Sequence, residues 1–290
     1  MDGLLINTED IITACINHAL AKHGRPPIPP NLRAQIMGVP NSTSGDVYNN
    51  WAQLPVPREQ HTREVRAEMR RRFPDCRPLP GAEDLLFNLS RAAHVATSGR
   101  PIRLALASGT KTEAYKLKMS SPETRTLLET IHEHARVLGD DPRLQPGRDK
   151  PAPDIYRLAL RDLNSCAVAD GEDPILPGEC LVFEDSVIGV EAARRAGMRV
   201  VWVPHPDVLS EYAGREGDVI AGRTNSLAEH VLADGDNGSV GEYNDGWGEC
   251  IESLAAFEYH KYGIDIGVPH FAIPETQVNS LSTRRLLHVR

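Results

Sequence analysis

The sequence contains no long apolar segment. No run approaches the roughly 18 to 20 consecutive apolar residues that a membrane-spanning helix requires, and the first residues lack the basic and apolar regions of a secretory signal peptide. With 290 residues, 40% of them apolar and 25% charged, the chain is long enough for one large domain or two modest ones. We therefore expect a globular cytoplasmic protein, with a nuclear pool left open and no membrane partner.

Paired cysteines are also missing. The chain has five cysteines and no CxxC motif; they are Cys15, Cys76, Cys166, Cys180 and Cys250. Their odd number and wide spacing argue against a disulfide framework or a structural zinc site, so we predict reduced residues that serve in packing.

An excess of positive charge is absent as well. The formal net charge of −8 argues against a nucleic-acid-binding surface. The one basic stretch, "REVRAEMRRRF", is interpreted as the solvated face of a helix. We expect a small molecule rather than a nucleic acid as the ligand, and the pattern gives no indication of the oligomeric state.

The first 78 residues carry helical patterns separated by proline-rich turns. In "TEDIITACINHALAKHG", apolar residues recur at helical spacing, Thr8 can cap the helix and Gly24 is a natural stop. Stretches such as "RPPIPP" and "PVP" then interrupt the pattern until "FPDCRPLPG". We predict a mostly helical unit over residues 11–78.

Beyond this unit, short apolar runs alternate with helical segments. "PIRLALAS", "HARVLGD", "ECLVFED" and "RVVWVPH" have the length and composition of strands, with segments such as "PAPDIYRLALRDL" and "VIGVEAARRAG" between them. This alternation predicts an α/β domain with a largely parallel sheet, formed by residues 1–10 and 79–223. Residues 224–290, which include "DGDNGSVGEYNDGWGE", are predicted to be a flexible insertion and a tail.

Three of the predicted strands end in polar residues. Ser108 ends one strand, Asp140 and Asp141 follow another, and Glu184 and Asp185 end a third. Ligands of open parallel sheets bind beyond the carboxyl ends of the strands, so these side chains are expected to converge.

Four clusters could carry chemistry, and each also has an ordinary structural explanation. "MDGLLINTE" could be only an exposed end, and "LALASGT" a strand that runs into a turn. "GRDKPAPDIY" could be a solvent loop with proline at a helix start, and "VFEDSVIGVEAA" could owe its acids to the helix N-terminus.

Together, in this order, the four clusters resemble the motifs of the haloacid dehalogenase-like hydrolase superfamily. The resemblance runs from residue 2 to about residue 206, and within the superfamily it is nearest to the pseudouridine-5'-phosphatase-like branch and its fungal relatives. It implies a Rossmann-like parallel sheet with a small helical cap inserted after the first motif.

The resemblance also implies roles for individual residues. Asp2 matches the aspartate that acts as general acid and base, Ser108 and Gly109 would hold phosphoryl oxygens, and Lys150 would supply a cation. Glu184 and Asp185, with the backbone carbonyl of Asp2, would bind Mg²⁺. The implied reaction is hydrolysis of a small nucleotide-, sugar- or polyol-phosphate through an aspartyl-phosphate.

The sequence departs from the family pattern at its first motif. The family places its nucleophilic aspartate two residues before the position of Asp2, and Met1 occupies the residue between them. The strand that leads to this aspartate is absent from the numbering, which predicts a slot in the sheet and weak catalysis. Three explanations stay open: a start assigned inside an original Asp-Met-Asp, a degenerate copy, or another element that fills the slot.

The alternatives in function follow from the same motifs. A relative without catalytic activity could still bind phosphate or a partner, and a sugar phosphomutase would share every motif named above. Substrate choice depends on the helical unit. There, "RPPIPPNLRAQIMG" is expected at the cap surface near the site, although Leu32, Ile36 and Met37 could equally be core residues.

Overall fold

The computed structural model of the chain describes residues 1–37, 41–92, 99, 101–224 and 236–266, with side chains from residue 45 onward in the helix that begins at Asn41. Within these residues, four helices precede the first strand-rich part: α1 (Glu9–Lys22), α2 (Pro30–Ile36), α3 (Asn41–Ala52) and α4 (Arg58–Arg72). None of the described helices is both long and apolar enough to cross a membrane.

The rest of the described chain alternates between helices and strands. The strands are β1 (Leu106–Ser108), β2 (Arg136–Leu138), β3 (Leu181–Glu184), β4 (Arg199–Trp202) and β5 (Gly248–Cys250). The helices are α5 (Ala82–Arg91), α6 (Thr112–Lys118), α7 (Pro122–Glu129), α8 (Asp154–Ala169), α9 (Val187–Arg195), α10 (Pro206–Glu211) and α11 (Glu216–Ile220). The α/β class is confirmed, and each of the four predicted runs contains a strand.

The charged residues at the two ends of helix α1 favour its formation. Acidic residues occupy its first turn and Lys22 its last, as the helix dipole favours, and it packs on α4. Gly24 follows the helix end with φ of +67°, as predicted. The prediction that the side chain of Thr8 caps the helix is wrong: Thr8 has helical angles, and its buried hydroxyl has no hydrogen-bond partner among the described residues.

The basic stretch lies on α4 and is open to solvent. The side chains of Arg70, Arg71 and Arg72 are 59%, 71% and 42% exposed. Arg71 and Arg72 pair with Glu68 one turn earlier, and Arg70 pairs with Glu113. These contacts agree with a solvated helix face.

In the stretch "RPPIPPNLRAQIMG", Leu32 and Met37 are buried and Ile36 is partly buried. This burial favours the alternative that these three residues belong to the core. Gly38, which ends that stretch, lies outside the described residues.

The strands form two parallel sheets rather than one. β1 pairs with β2, while β3, β4 and β5 form the second sheet in that order. Among the described residues, no strand joins these two sheets. The apolar side chains of Met1, Leu4, Leu5 and Ile6 are buried in a core cluster that also contains Leu106 of β1 and Val201 of β4.

The prediction of a flexible insertion is wrong for residues 236–266. β5 pairs in parallel with β4, with Val200 opposite Gly248 and Trp202 opposite Cys250. The pairing is hard to see in the sequence because β5 is a short edge strand within a stretch rich in glycine and aspartate. Residues 225–235 and 267–290, which the same prediction covered, lie outside the described residues.

Gly81, just before α5, holds the C-terminal segment against the core. Its φ is +83°, a left-handed conformation. A Cβ atom at this position would lie 2.1 Å from the backbone nitrogen of Ala255, in the short helix Leu254–Ala256. Only glycine permits this approach of two backbones.

We expect Gly81→Ala to lower the free energy of unfolding more than Gly24→Ala. Both residues have positive φ, so both variants carry left-handed strain of roughly 1–2 kcal/mol. A Cβ atom at Gly24 would meet no other atom within 4 Å, whereas one at Gly81 would overlap the backbone of Ala255. The overlap should add about 1–3 kcal/mol in Gly81→Ala. Urea unfolding measures both, and equal losses would mean that residues 254–256 do not pack on Gly81.

Candidate active site

Ser108 and Gly109 lie where β1 ends. Ser108 is buried, and its hydroxyl accepts a hydrogen bond from the backbone N–H of Thr110 at 3.3 Å. Gly109 is exposed, with open space beside it. Gly139, which follows β2, packs so closely that a Cβ atom there would lie 2.3 Å from the carbonyl oxygen of Gly109. The loop after β1 is therefore held by backbone contact with the loop after β2.

Lys150 joins the two sheets. Its Nζ pairs with the carboxylate of Glu184, the last residue of β3, and lies 3.4 Å from the carbonyl oxygen of Ala107 in β1. Glu184 also accepts hydrogen bonds from the Tyr156 hydroxyl and from the N–H and hydroxyl of Ser186. Burial acts to raise the pKa of Glu184, but the charge and hydrogen bond of Lys150, the N-terminal amine and the Tyr156 hydrogen bond outweigh it and lower the pKa to about 2.

The compensation at Asp185 is weaker, because the charges of the N-terminal amine and of Lys150 only partly offset the effects that raise its pKa. Its carboxylate has no hydrogen bond within the described part of the chain, although its backbone carbonyl accepts one from Trp202 Nε1 at 3.0 Å. Burial, and then the neighbouring Glu184 carboxylate, raise the pKa of Asp185 well above its usual value. Gly3, with φ of +63°, lies against it: a Cβ atom at Gly3 would be 2.5 Å from Asp185 Oδ2. Glycine in the first motif thus lets Asp185 approach.

Asp2 is paired with Lys118, which no sequence motif indicated. Lys118 Nζ, at the end of α6, lies 2.6 Å from Asp2 Oδ1, and the Thr110 hydroxyl donates to Asp2 Oδ2. Burial opposes ionisation of Asp2, but Lys118 and the N-terminal amine outweigh it and lower the pKa to about 2. Thr110 stands two residues after Ser108, so the "LASGT" motif carried a signal for it. Lys118, only 3% exposed, had none.

Glu9 is a second residue that sequence reasoning missed. It is buried at the start of α1, and burial together with the charge of Asp2 raises its pKa to about 7, despite Lys118 and Arg33. Its place as the last residue of the first motif, "MDGLLINTE", was the available signal. A carboxyl group of this kind exchanges its proton near neutral pH.

The predicted convergence of strand ends holds for some of the residues. The contacts above connect Asp2, Ser108, Lys150, Glu184 and Asp185 into one site, with Gly109 on its exposed side. Asp140 instead accepts hydrogen bonds from the N–H and hydroxyl of Thr112, both at 2.9 Å, at the start of α6. Asp141 pairs with Arg143 at 2.7 Å. These two acids therefore anchor loops beside the site.

The donor atoms are suited to a hard cation. Asp185 offers an ionisable carboxylate with no hydrogen bond in the described residues, beside Glu184, and oxygen ligands of this kind are those that Mg²⁺ prefers. Burial and the neighbouring Glu184 charge, which raise the pKa of Asp185, are both effects that a divalent cation at this position would offset. The site therefore fits a divalent metal.

Fold and site define an α/β protein whose candidate ligand site lies at the carboxyl ends of parallel strands. Residues 1–203 match the family described as "Haloacid dehalogenase-like hydrolase", and the chain belongs to this family of hydrolases. The resemblance predicted from the four motifs is thereby confirmed.

Individual relatives extend over most of the chain. A Saccharomyces cerevisiae protein named "Probable pseudouridine-5'-phosphatase" is 34% identical over 265 residues, which cover 91% of this chain and 94% of that protein. "(DL)-glycerol-3-phosphatase 1, mitochondrial" of Arabidopsis thaliana is 31% identical over 223 residues, covering 76% of this chain and 67% of that protein. A solved HAD family hydrolase from Deinococcus radiodurans R1, with bound phosphate and sodium, has a TM-score of 0.52 at 26% identity and covers 71% of this chain and 79% of its own.

We expect Lys150→Met to lower the free energy of unfolding by about 3–5 kcal/mol, because it leaves the buried Glu184 charge unpaired. Lys116→Met, at an exposed lysine of α6, is the matched control and should change stability by less than about 0.5 kcal/mol. Adding Glu184→Gln to Lys150→Met should recover part of the loss, measured by urea unfolding at pH 7. A double variant no more stable than Lys150→Met would contradict the pairing.

Glu9→Gln should stabilise the metal-free chain at pH 8 but not at pH 4.5. The folded pKa of about 7 exceeds the usual 4.5, so the unfolded chain releases this proton first and wild-type stability falls as pH rises between these values. The full difference is about 3 kcal/mol. Unfolding in EDTA across this pH range measures it, with Glu59→Gln, in the first turn of α4, as the control. A gain that is constant with pH would reject the assignment.

Proposed function

We propose that this protein is a Mg²⁺-dependent phosphatase of a small phosphorylated metabolite, such as a nucleotide-, sugar- or polyol-phosphate. The observation that carries the proposal is the grouping of Ser108, Lys150 and three acidic residues at one end of the parallel strands. The names of the relatives, a pseudouridine-5'-phosphatase and a glycerol-3-phosphatase, support the same substrate class.

We assign binding of the phosphate group to Ser108, Gly109 and Lys150. The Ser108 hydroxyl and the backbone N–H of the exposed Gly109 lie at the end of β1, where we assign both as donors to phosphoryl oxygens. Lys150 already bridges β1 and Glu184, so its charge is fixed beside the same position. Fixed donors matter because phosphoryl transfer depends mostly on positioning and charge neutralisation.

Asp2 would act as the acid and base of the reaction. In the free protein its carboxylate is held ionised by Lys118 and Thr110. A substrate phosphate dianion would compete for these two donors, and this competition would release Asp2 and raise its pKa toward a useful range. Lys118 is then a positioning residue that we add to the predicted set.

A bound Mg²⁺ would neutralise negative charge on the phosphate and its carboxylate neighbours. Asp185, Glu184 and the main-chain carbonyl of Asp2 would hold it. Since Glu184 is already occupied by Lys150, Tyr156 and Ser186, we assign the main share of binding to Asp185.

The family's aspartyl-phosphate forms on an aspartate two residues before the position of Asp2, which the numbering of this chain does not include. We therefore propose that the 290-residue chain binds phosphate but hydrolyses esters poorly.

The domain boundaries and location remain part of the proposal. We assign residues 11–78 to a cap and residues 1–10 and 79–223 to the core, with the described C-terminal strand added to the core. Arg33 of α2 supports a cap that rests on the core, because it pairs with Asp10 at 2.6 Å and with Asp207 of α10 at 3.1 Å. We place the protein in the cytoplasm.

We expect the 290-residue chain to release phosphate from p-nitrophenyl phosphate at least about 100-fold more slowly than a chain extended by an apolar strand that ends in Asp directly before Met1. Phosphate release is measured with Mg²⁺ and with EDTA, first on this ester and then on pseudouridine 5'-phosphate, glycerol 3-phosphate and glucose 6-phosphate.

Two controls accompany this assay. Changing the added Asp to Asn should return the extended chain to the low rate, and Asp185→Asn should weaken its dependence on Mg²⁺. Full activity of the 290-residue chain, or an inactive extended chain that is folded, would overturn the proposal.

A further inference from the structure

Three potential metal ligands meet in the helical part, apart from the site described above. His23 follows the end of α1, and His61 and Glu64 lie nearly one turn apart on α4, which packs on α1. One ligand atom from each residue lies within 4.8 Å of the others. None of these residues takes part in the proposed phosphatase reaction.

His61 has a buried nitrogen without a partner. The residue is only 4% exposed. Its Nε2 lies 2.7 Å from the Tyr48 hydroxyl, and its ring stacks on the Tyr48 ring with centroids 5.7 Å apart. Its Nδ1 has no hydrogen-bond partner in the part of the chain that the structure describes. A buried polar atom of this kind calls for a ligand, since nearly all such atoms in proteins are paired.

The Tyr48 contact favours a metal at Nδ1. Histidines that bind metals commonly donate a hydrogen bond from their other ring nitrogen, which fixes the ring and the tautomer. Donation from Nε2–H to the Tyr48 oxygen would leave a lone pair on Nδ1. The ring is therefore oriented by its neighbours in the way a ligand requires.

His23 and Glu64 complete the set. His23 Nε2 lies 2.7 Å from Glu64 Oε2, and Gln60 donates to Glu64 Oε1 at 3.0 Å. The side chains of His23 and Glu64 are 12% and 23% exposed, so the cluster has access to solvent on one side. An ion that replaced the proton between His23 and Glu64 would find both side chains already in place.

We propose that His23, His61 and Glu64 bind a Zn²⁺ ion that links the end of α1 to α4. Two imidazoles and one carboxylate are a known donor combination for tetrahedral zinc, with water as the fourth ligand. Imidazole favours zinc and its neighbours over magnesium, so this site and the carboxylate site at the strand ends select different metals.

The test is zinc binding to the full chain in millimolar Mg²⁺, which occupies the carboxylate site. Isothermal titration with Zn²⁺ is compared for wild type, Glu64→Gln and His260→Ala. Glu64→Gln retains an acceptor for His23 and should preserve the fold, while His260 is a surface histidine with an 80% exposed side chain. We expect one zinc site in wild type and in His260→Ala that is weakened at least tenfold in Glu64→Gln.

Two further measurements decide between a specific site and adventitious zinc. Zn²⁺ should raise the melting temperature of wild type and of Asp185→Asn, but not of Glu64→Gln. Co²⁺ bound at the same position should give visible absorption bands that Zn²⁺ displaces. Equal zinc affinity in wild type and Glu64→Gln, as cysteine binding would produce, or no binding at micromolar Zn²⁺, would overturn the proposal. All readouts are independent of phosphatase activity.

Discussion

The contact between Lys150 and Glu184 is the interaction on which the arrangement of the site depends. These residues belong to different parts of the sequence, and Lys150 reaches both the β1 backbone and the end of β3, which lie in separate sheets. A buried carboxylate is unfavourable unless it is paired. The same contact therefore keeps Glu184 ionised and fixes the distance between the strand that carries Ser108 and the strand that leads to Asp185.

The four acidic residues around this pair divide into two with a lysine partner and two without one. Two carboxylates, Asp2 and Glu184, each have a lysine partner and a lowered pKa. Glu9 and Asp185 have no lysine of their own and have raised pKa values. The phosphate group of the proposed substrate would add further negative charge to this site. Electrostatics thus favours a bound cation, or a proton, at Asp185 and Glu9 whenever an anion is present.

The sequence allowed prediction of residues whose position follows from strand direction. Ser108 and Glu184 end strands, and Asp185 directly follows Glu184. Parallel strands bring their carboxyl ends to one edge, so the meeting of these residues required no knowledge of distant contacts. Lys118 was not predictable in this way. Its place beside Asp2 depends on how α6 packs against the segment that contains Phe73. Lys118 Nζ lies 4.8 Å from the centre of the Phe73 ring.

β5 was missed for a related reason: three residues, "GEC", form a strand because β4 offers an edge for pairing. The cluster of His23, His61 and Glu64 could not be predicted from cysteine spacing either. His23 and His61 are 38 residues apart in the sequence. Only the packing of α1 on α4 brings them together.

The position of β5 in the sheet has a consequence for synthesis of the chain. β4 is complete at Trp202, but its outer edge stays unpaired until Gly248–Cys250 has emerged from the ribosome. The contact between Leu254–Ala256 and Gly81 can form only after these later residues have also emerged. During that interval the nascent chain presents an open strand edge, which is a site for intermolecular pairing. Closure of the core thus awaits residues that lie far beyond the fourth motif of the sequence.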